Sequence, residues 1–135
     1  MVDASLIKKL GIKPNQRLII LYAPEGYSEQ IRTLLPADVE LLTAPTSVGN
    51  FDVVLLFVRN KTEVEKDTPK AIEMVKPGGR LWLSYPKQSS KVPTDINRDI
   101  LWKIFPNSEW RPVTQISIDE IWSALRFRPE IEVGS

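Results

Sequence analysis

Residues 51–58, FDVVLLFV, narrow the folds open to this chain more than any other segment. After Asp52 the run carries no polar side chain. As a strand it must therefore be covered on both faces, which calls for an inner strand of a parallel sheet between helical layers. It is far too short to span a membrane.

The rest of the chain repeats the theme. Residues 18–22, LIILY, form a second continuous apolar strand, residues 39–42 a shorter one, and residues 80–85 another. Between them lie helical patterns. Ser5 can cap a short helix through Leu10, stopped by Gly11 and Pro14. Tyr27, Ile31, Leu34 and Leu35 recur at i, i+4, i+7 and i+8, one apolar helical face that Pro36 ends. Residues 62–75 predict a helix with a kink, or two short helices, because Pro69 lies inside it. Pro77-Gly78-Gly79 is a stop, and residues 94–105 predict a further helix. Residues 113–118 and 121–127 read as two last strands, too close together for a parallel crossover, so one must run antiparallel. Strand–helix alternation predicts a three-layer, Rossmann-like α/β fold with a mostly parallel sheet of about six strands and an antiparallel strand near the C-terminus. Residues 1–135 are expected to form a single domain.

Composition removes several chemistries. There is no cysteine and no histidine, which excludes disulfides, thiol catalysis and the usual base of a catalytic triad, and no metal site is expected. Acid–base work falls to Asp, Glu, Lys or Tyr. Lys and Arg number 18 against 17 Asp and Glu, a net charge of +1, so no general field draws nucleic acid or a membrane. The N-terminal residues lack the apolar core of a secretion signal. A cytoplasmic protein is expected.

Residues 12–17, IKPNQR, the opening Phe51-Asp52-Val53-Val54 and residues 75–81, VKPGGRL, resemble class I S-adenosylmethionine (SAM) methyltransferases. The chain as a whole, with its Pro24-Glu25-Gly26-Tyr27 turn and its ending DEIWSALRFRP, resembles a small bacterial family known only as a domain of unknown function. The resemblance implies a methyltransferase-like fold and brings no activity with it. Three features depart from the class pattern. The turn after the first strand has one glycine where two or three are expected to let backbone approach the cofactor. The second strand ends Leu41-Leu42-Thr43-Ala44, and its acid, Glu40, comes too early to hold a ribose. Residues 43–50 are too few for a further helix and strand, so the sheet is truncated. The expectation is a chain without a cofactor, SAM being the one the resemblance would supply.

In an open parallel sheet, ligands bind beyond the carboxyl ends of the strands. Glu25, Arg59, Tyr85 and Lys87 should converge there and offer an acid, two cations and a phenol to a small anionic ligand. The alternative is a solvated rim in which Glu25 pairs with Arg59 or Lys87. Thr94 or Asp95 is expected to cap the 94–105 helix. Ile96, Ile100, Leu101, Ile104 and Phe105 share its apolar half, and Asp95, Arg98, Asp99 and Trp102 the other. A tryptophan on the polar half predicts that this face is covered, with Asp95, Arg98 and Asp99 forming an ion network. Ser84-Tyr85-Pro86-Lys87 matches the S-x-x-K spacing of serine hydrolases but crosses a strand end, so its amine cannot serve the hydroxyl from one helical turn away. Lys87-Gln88-Ser89-Ser90 lacks P-loop spacing.

The leading expectation is a non-catalytic binding module for a small anionic ligand or a protein partner. The second is a divergent SAM-dependent methyltransferase or other transferase, with Glu25 or Asp95 as base and Lys87 or Arg98 holding an anion. The third is a structural interaction protein. Trp122, Arg126, Phe127 and Arg128 do not make a nucleic-acid platform without a basic stripe, and a second copy could pair along the last strand as a homodimer.

Overall fold

The computed structural model describes residues 5–44, 49–106 and 109–129. Six strands form one sheet: β1 (Arg17–Leu21), β2 (Glu40–Leu42), β3 (Phe51–Phe57), β4 (Val75–Pro86), β5 (Trp110–Ser117) and β6 (Trp122–Pro129). Their order is β2-β1-β3-β4-β6-β5. The pairs among β1 to β4 are parallel, and β6 is antiparallel to both β4 and β5. This is the expected α/β, mostly parallel architecture, and among the described residues no strand lies beyond β2.

Helices α1 (Ser5–Leu10) and α2 (Tyr27–Arg32) cover one face, and α3 (Lys61–Met74) and α4 (Arg98–Ile104) the other. Alternation along β3 supplies both layers. Val54, Leu56 and Val58 meet Val64, Ala71 and Leu101, whereas Val53, Leu55 and Phe57 meet the layer holding Leu6, Leu10 and Ile31. These side chains are fully buried, and apart from Ala71 each contributes about 1.5 to 3 kcal/mol by leaving water. Phe105 stacks on Phe127 with centroids 4.1 Å apart, joining the end of α4 to β6. Gly11 ends α1 at φ 84, with the Arg80 side chain filling the space a Cβ would occupy, and the Trp82 indole donates to the Leu10 carbonyl.

The structure corrects several local expectations. Pro69 lies inside α3 without dividing it. The helix after β1 stops at Arg32, before Pro36, and Leu34 and Leu35 pack from the following turn. The last strand is not at the edge. β6 is interior, and the edge strand β5 carries Pro112 and a register shift between Pro112 and Thr114, features that blunt edge pairing. Among the described residues no helix is long and apolar enough to cross a membrane.

The amino edge is tied by charge. Arg17 pairs with Glu40 at 2.7 Å, donates to the Gly49 carbonyl and lies over the Phe51 ring at 4.4 Å. Asp52 accepts from the Arg17 amide at 2.8 Å and pairs with Lys76. Burial alone would raise the Asp52 carboxyl, but the Lys76 and Arg17 hydrogen bonds and the Lys76 charge hold it below its ordinary value.

Candidate functional site

β1, β3 and β4 all end on the same side of the sheet, and β6 begins there. This carboxyl edge has two parts. The first is the crevice between β1 and β3, where strand order reverses and where open α/β sheets take ligands. Arg59, just past β3, bridges it. Its Nη2 donates to the Tyr22 carbonyl at 2.9 Å, its Nη1 lies 3.5 Å from Glu63, and its guanidinium sits 5.5 Å from the Trp122 ring centroid. Asn60 caps α3 by accepting from the Glu63 amide, and Glu63 in turn accepts from the Arg59 amide. The β1 loop turns through two left-handed residues, Tyr22 at φ 59 and Gly26 at φ 83. Open space lies where a Cβ on Gly26 would point.

The second part is a cleft of about 400 Å³ beyond β4. Tyr85 and Lys87 enter it from the end of β4, followed by Gln88 and Ser89 from a 3-10 turn. Asn97, Arg98 and Asp99 come from the start of α4, and Gln115 and Ser123 from the β5–β6 hairpin. Every lining side chain can hydrogen-bond. Asn97 is the N-cap of α4, its Oδ1 accepting from the Ile100 amide, and Lys87 Nζ donates to the Ser117 hydroxyl at 2.7 Å. Burial pushes the Tyr85 phenol up, Arg98 opposes this and Asp99 adds to it. The phenol therefore stays protonated at neutral pH and can donate a hydrogen bond.

Four of the expected residues, Tyr85, Lys87, Arg98 and Asp99, meet at this cleft. Glu25 is exposed on the β1 loop, and Arg59 bridges the crevice. Neither expected rim pair forms, since Arg59 is held by Glu63 and Lys87 by a hydroxyl. Thr94 and Asp95 lie outside the cleft and do not cap α4. Thr94 donates to the Arg59 carbonyl and accepts from the Ile96 amide, and Asp95 accepts from the Lys61 amide at 2.8 Å. Both fasten the loop before α4 to the start of α3, and three capping-type residues within four positions, Thr94, Asp95 and Asn97, hid which one caps. Among the described residues no ion pair joins Asp95, Arg98 and Asp99. Nor does the chain cover Trp102, which is 55% exposed. Ser84 is fully buried within β4, far from a helical turn with Lys87. Sequence reasoning missed Gln88, Ser89, Asn97, Gln115 and Ser123. The polar alternation of residues 113–118 was the one hint of Gln115, and only the hairpin brings it to α4.

No family model and no curated protein sequence matches the chain. Its fold, however, is similar to solved structures. Fibrillarin from Aeropyrum pernix, with natively bound SAM, superposes at a TM-score of 0.61 with 12% identity, covering 93% of this chain and 73% of that one. A SAM-dependent methyltransferase from Aquifex aeolicus gives 0.59 with 11% identity over 93% and 89% of the two chains. A TehB-like SAM-dependent methyltransferase from Corynebacterium glutamicum gives 0.58 with 7% identity over 93% and 86%. At these identities the likeness establishes a methyltransferase-like fold. It also overturns the expectation of a chain without a cofactor, because two of these three structures are SAM-dependent methyltransferases and the third carries SAM itself.

The crevice offers groups of its own to such a cofactor. Arg59 is a cation for a carboxylate, Glu25 is an acid on the loop for hydroxyls or an ammonium, and Gly26 leaves the turn open. Those features fit SAM, provided Arg59 releases the Tyr22 carbonyl. Thr43 and Ala44 follow β2 without an acid, and residues 45–48 lie outside the described residues.

Proposed function

We propose that this chain is a divergent SAM-dependent transferase, with cofactor in the crevice between β1 and β3 and acceptor in the neighbouring cleft. The observation that carries the reading is this adjacency, at the carboxyl edge of a methyltransferase-like sheet, of a switch-point crevice and a polar cleft. SAM would supply an electrophilic methyl group. Arg59 would hold its carboxylate, and Glu25 its ribose hydroxyls or ammonium. In the cleft, Lys87 and Arg98 would bind the acceptor and protonated Tyr85 would donate a hydrogen bond to it. Asp99, the acid of the cleft, would take the proton the acceptor loses. Asp95, which lies outside the cleft and accepts from the Lys61 amide, is given no part in the chemistry.

Calorimetric titration with SAM and with S-adenosylhomocysteine tests this. The reading expects binding by the wild-type chain and a stabilisation of about 2.7 kcal/mol when ligand reaches a hundred times its dissociation constant. Arg59→Ala should weaken binding by about tenfold or more. No heat and no thermal shift with either ligand at about 1 mM, a concentration at which even weak sites begin to fill, would defeat the reading.

A further inference from the structure

We propose that the cleft between β4, α4 and the β5–β6 hairpin binds a small polyhydroxylated anion: a sugar or polyol carrying one phosphate or carboxylate. Small-molecule sites are ordinarily lined by apolar side chains with a few polar groups among them. This cleft inverts the pattern, since every one of its lining side chains can donate or accept a hydrogen bond. An apolar body would gain nothing here, whereas a ligand rich in hydroxyls could exchange its water for protein partners group by group.

The charges specify the rest. Lys87 and Arg98 share the cleft with Asp99, two positive against one negative, leaving a net +1 for a single anionic group. A polynucleotide would call for a basic stripe, which this balance does not provide. Neither cation is committed to the fold by an ion pair: Lys87 bonds a surface hydroxyl and Arg98 is exposed. Gln88 and Gln115 are exposed amides that can both donate and accept. Asn97 uses its oxygen on the α4 cap and keeps its NH₂ for a ligand. Asp99 can accept from hydroxyls, and the Tyr85 phenol can donate. The volume of about 400 Å³ lies within the range of small-molecule sites. The inference rests on the transferase reading in that it names the class of acceptor for the same cleft, and it is tested apart from the cofactor because none of these groups belongs to the crevice.

The test is calorimetric titration, without SAM, of the wild-type chain with D-glucose 6-phosphate, D-gluconate, D-glucose and inorganic phosphate. At least one of the two anionic sugars should bind about tenfold more tightly than both glucose and phosphate; which of them does so identifies phosphate or carboxylate as the anion. Arg98→Gln and Lys87→Met should each weaken that binding by about tenfold. Gln115→Ala should weaken the anionic sugar while leaving phosphate unchanged. Phosphate binding as tightly as either sugar would reduce the cleft to a bare anion site and overturn the proposal. Silence from both anionic sugars at about 10 mM, beyond the weakest useful affinity, would overturn it too, as would unchanged binding by both cation variants. Since SAM is absent, failure here leaves the transferase reading intact, and the reverse holds.

Discussion

Arg17, Asp52 and Lys76 at the amino edge of the sheet and Lys87, Arg98 and Asp99 at the carboxyl edge are similar residues in opposite circumstances. The first three are partnered by one another, by Glu40 and by backbone. The second three line an open cleft and form no ion pair among the described residues. Paired charge fixes where strands begin. Charge left unpaired around a cavity is available to a ligand, and the difference separates scaffold from candidate site more sharply than residue type does.

The largest effect that could break this contrast belongs to Asp52. Its carboxylate holds both the Lys76 ammonium and the Arg17 amide, so Asp52→Ala removes a charge-assisted partner from each. We expect a loss of about 2 to 3 kcal/mol in urea denaturation at pH 7. Asp52→Asn, which keeps an acceptor, should lose about 1 kcal/mol. The pH dependence has a defined sign. The folded-state value is depressed below the ordinary 3.8. Its contribution is therefore complete above the unfolded value and disappears as pH falls through the folded one. Wild type and Asp52→Asn should converge in stability once pH falls below the folded-state value, which itself lies under 3.8. A gap that persisted there would show that Asp52 acts through packing, not charge.

The fold was largely legible in the sequence because its signals are local. The unbroken apolar run of β3 can only be an inner strand, and the short gap between the last two strands forces a hairpin. The site was legible only in part. Tyr85 and Lys87 follow from where β4 ends, and Arg98 and Asp99 from the polar half of a helix. The roles of Thr94 and Asp95 were not, since Asp95 completes a different helix, 34 residues away in sequence. Trp102 misled for a related reason: helical periodicity tells which face a residue occupies, not whether anything lies against that face.

Thr94 and Asp95 give the middle-sized effect. They are carboxyl-edge residues that behave like the amino edge, satisfying backbone groups of the β3–α3 connection and of the approach to α4. Asp95→Ala should lower stability by about 1 kcal/mol, the usual cost of losing a capping acceptor. Binding of SAM and of anionic sugars should stay unchanged. If Asp95→Ala instead abolished binding in a chain of wild-type stability, the boundary between scaffold and site would have to be redrawn around α3.

The smallest stability effects are expected at the cleft itself. Arg98→Ala and Asp99→Ala should each change unfolding free energy by no more than about 0.5 kcal/mol, since exposed side chains without a fixed partner contribute little to folding. Their influence should appear on Tyr85. Burial raises this phenol above its ordinary value of 10.0, with Arg98 lowering and Asp99 raising it in addition. Removing Arg98 should therefore move its ionisation to higher pH, and removing Asp99 to lower pH, in spectrophotometric titrations with Tyr85→Phe as the reference. The sign for stability follows. A phenol that ionises later in the folded chain supports folding below pH 10.0 and loses that support as pH rises beyond it. Opposite shifts in the two variants would place both charges within reach of one phenol, as a shared cleft requires. Shifts of the same sign, or none, would mean that Arg98 and Asp99 turn away from Tyr85 in solution, and the carboxyl edge would then be a solvated rim.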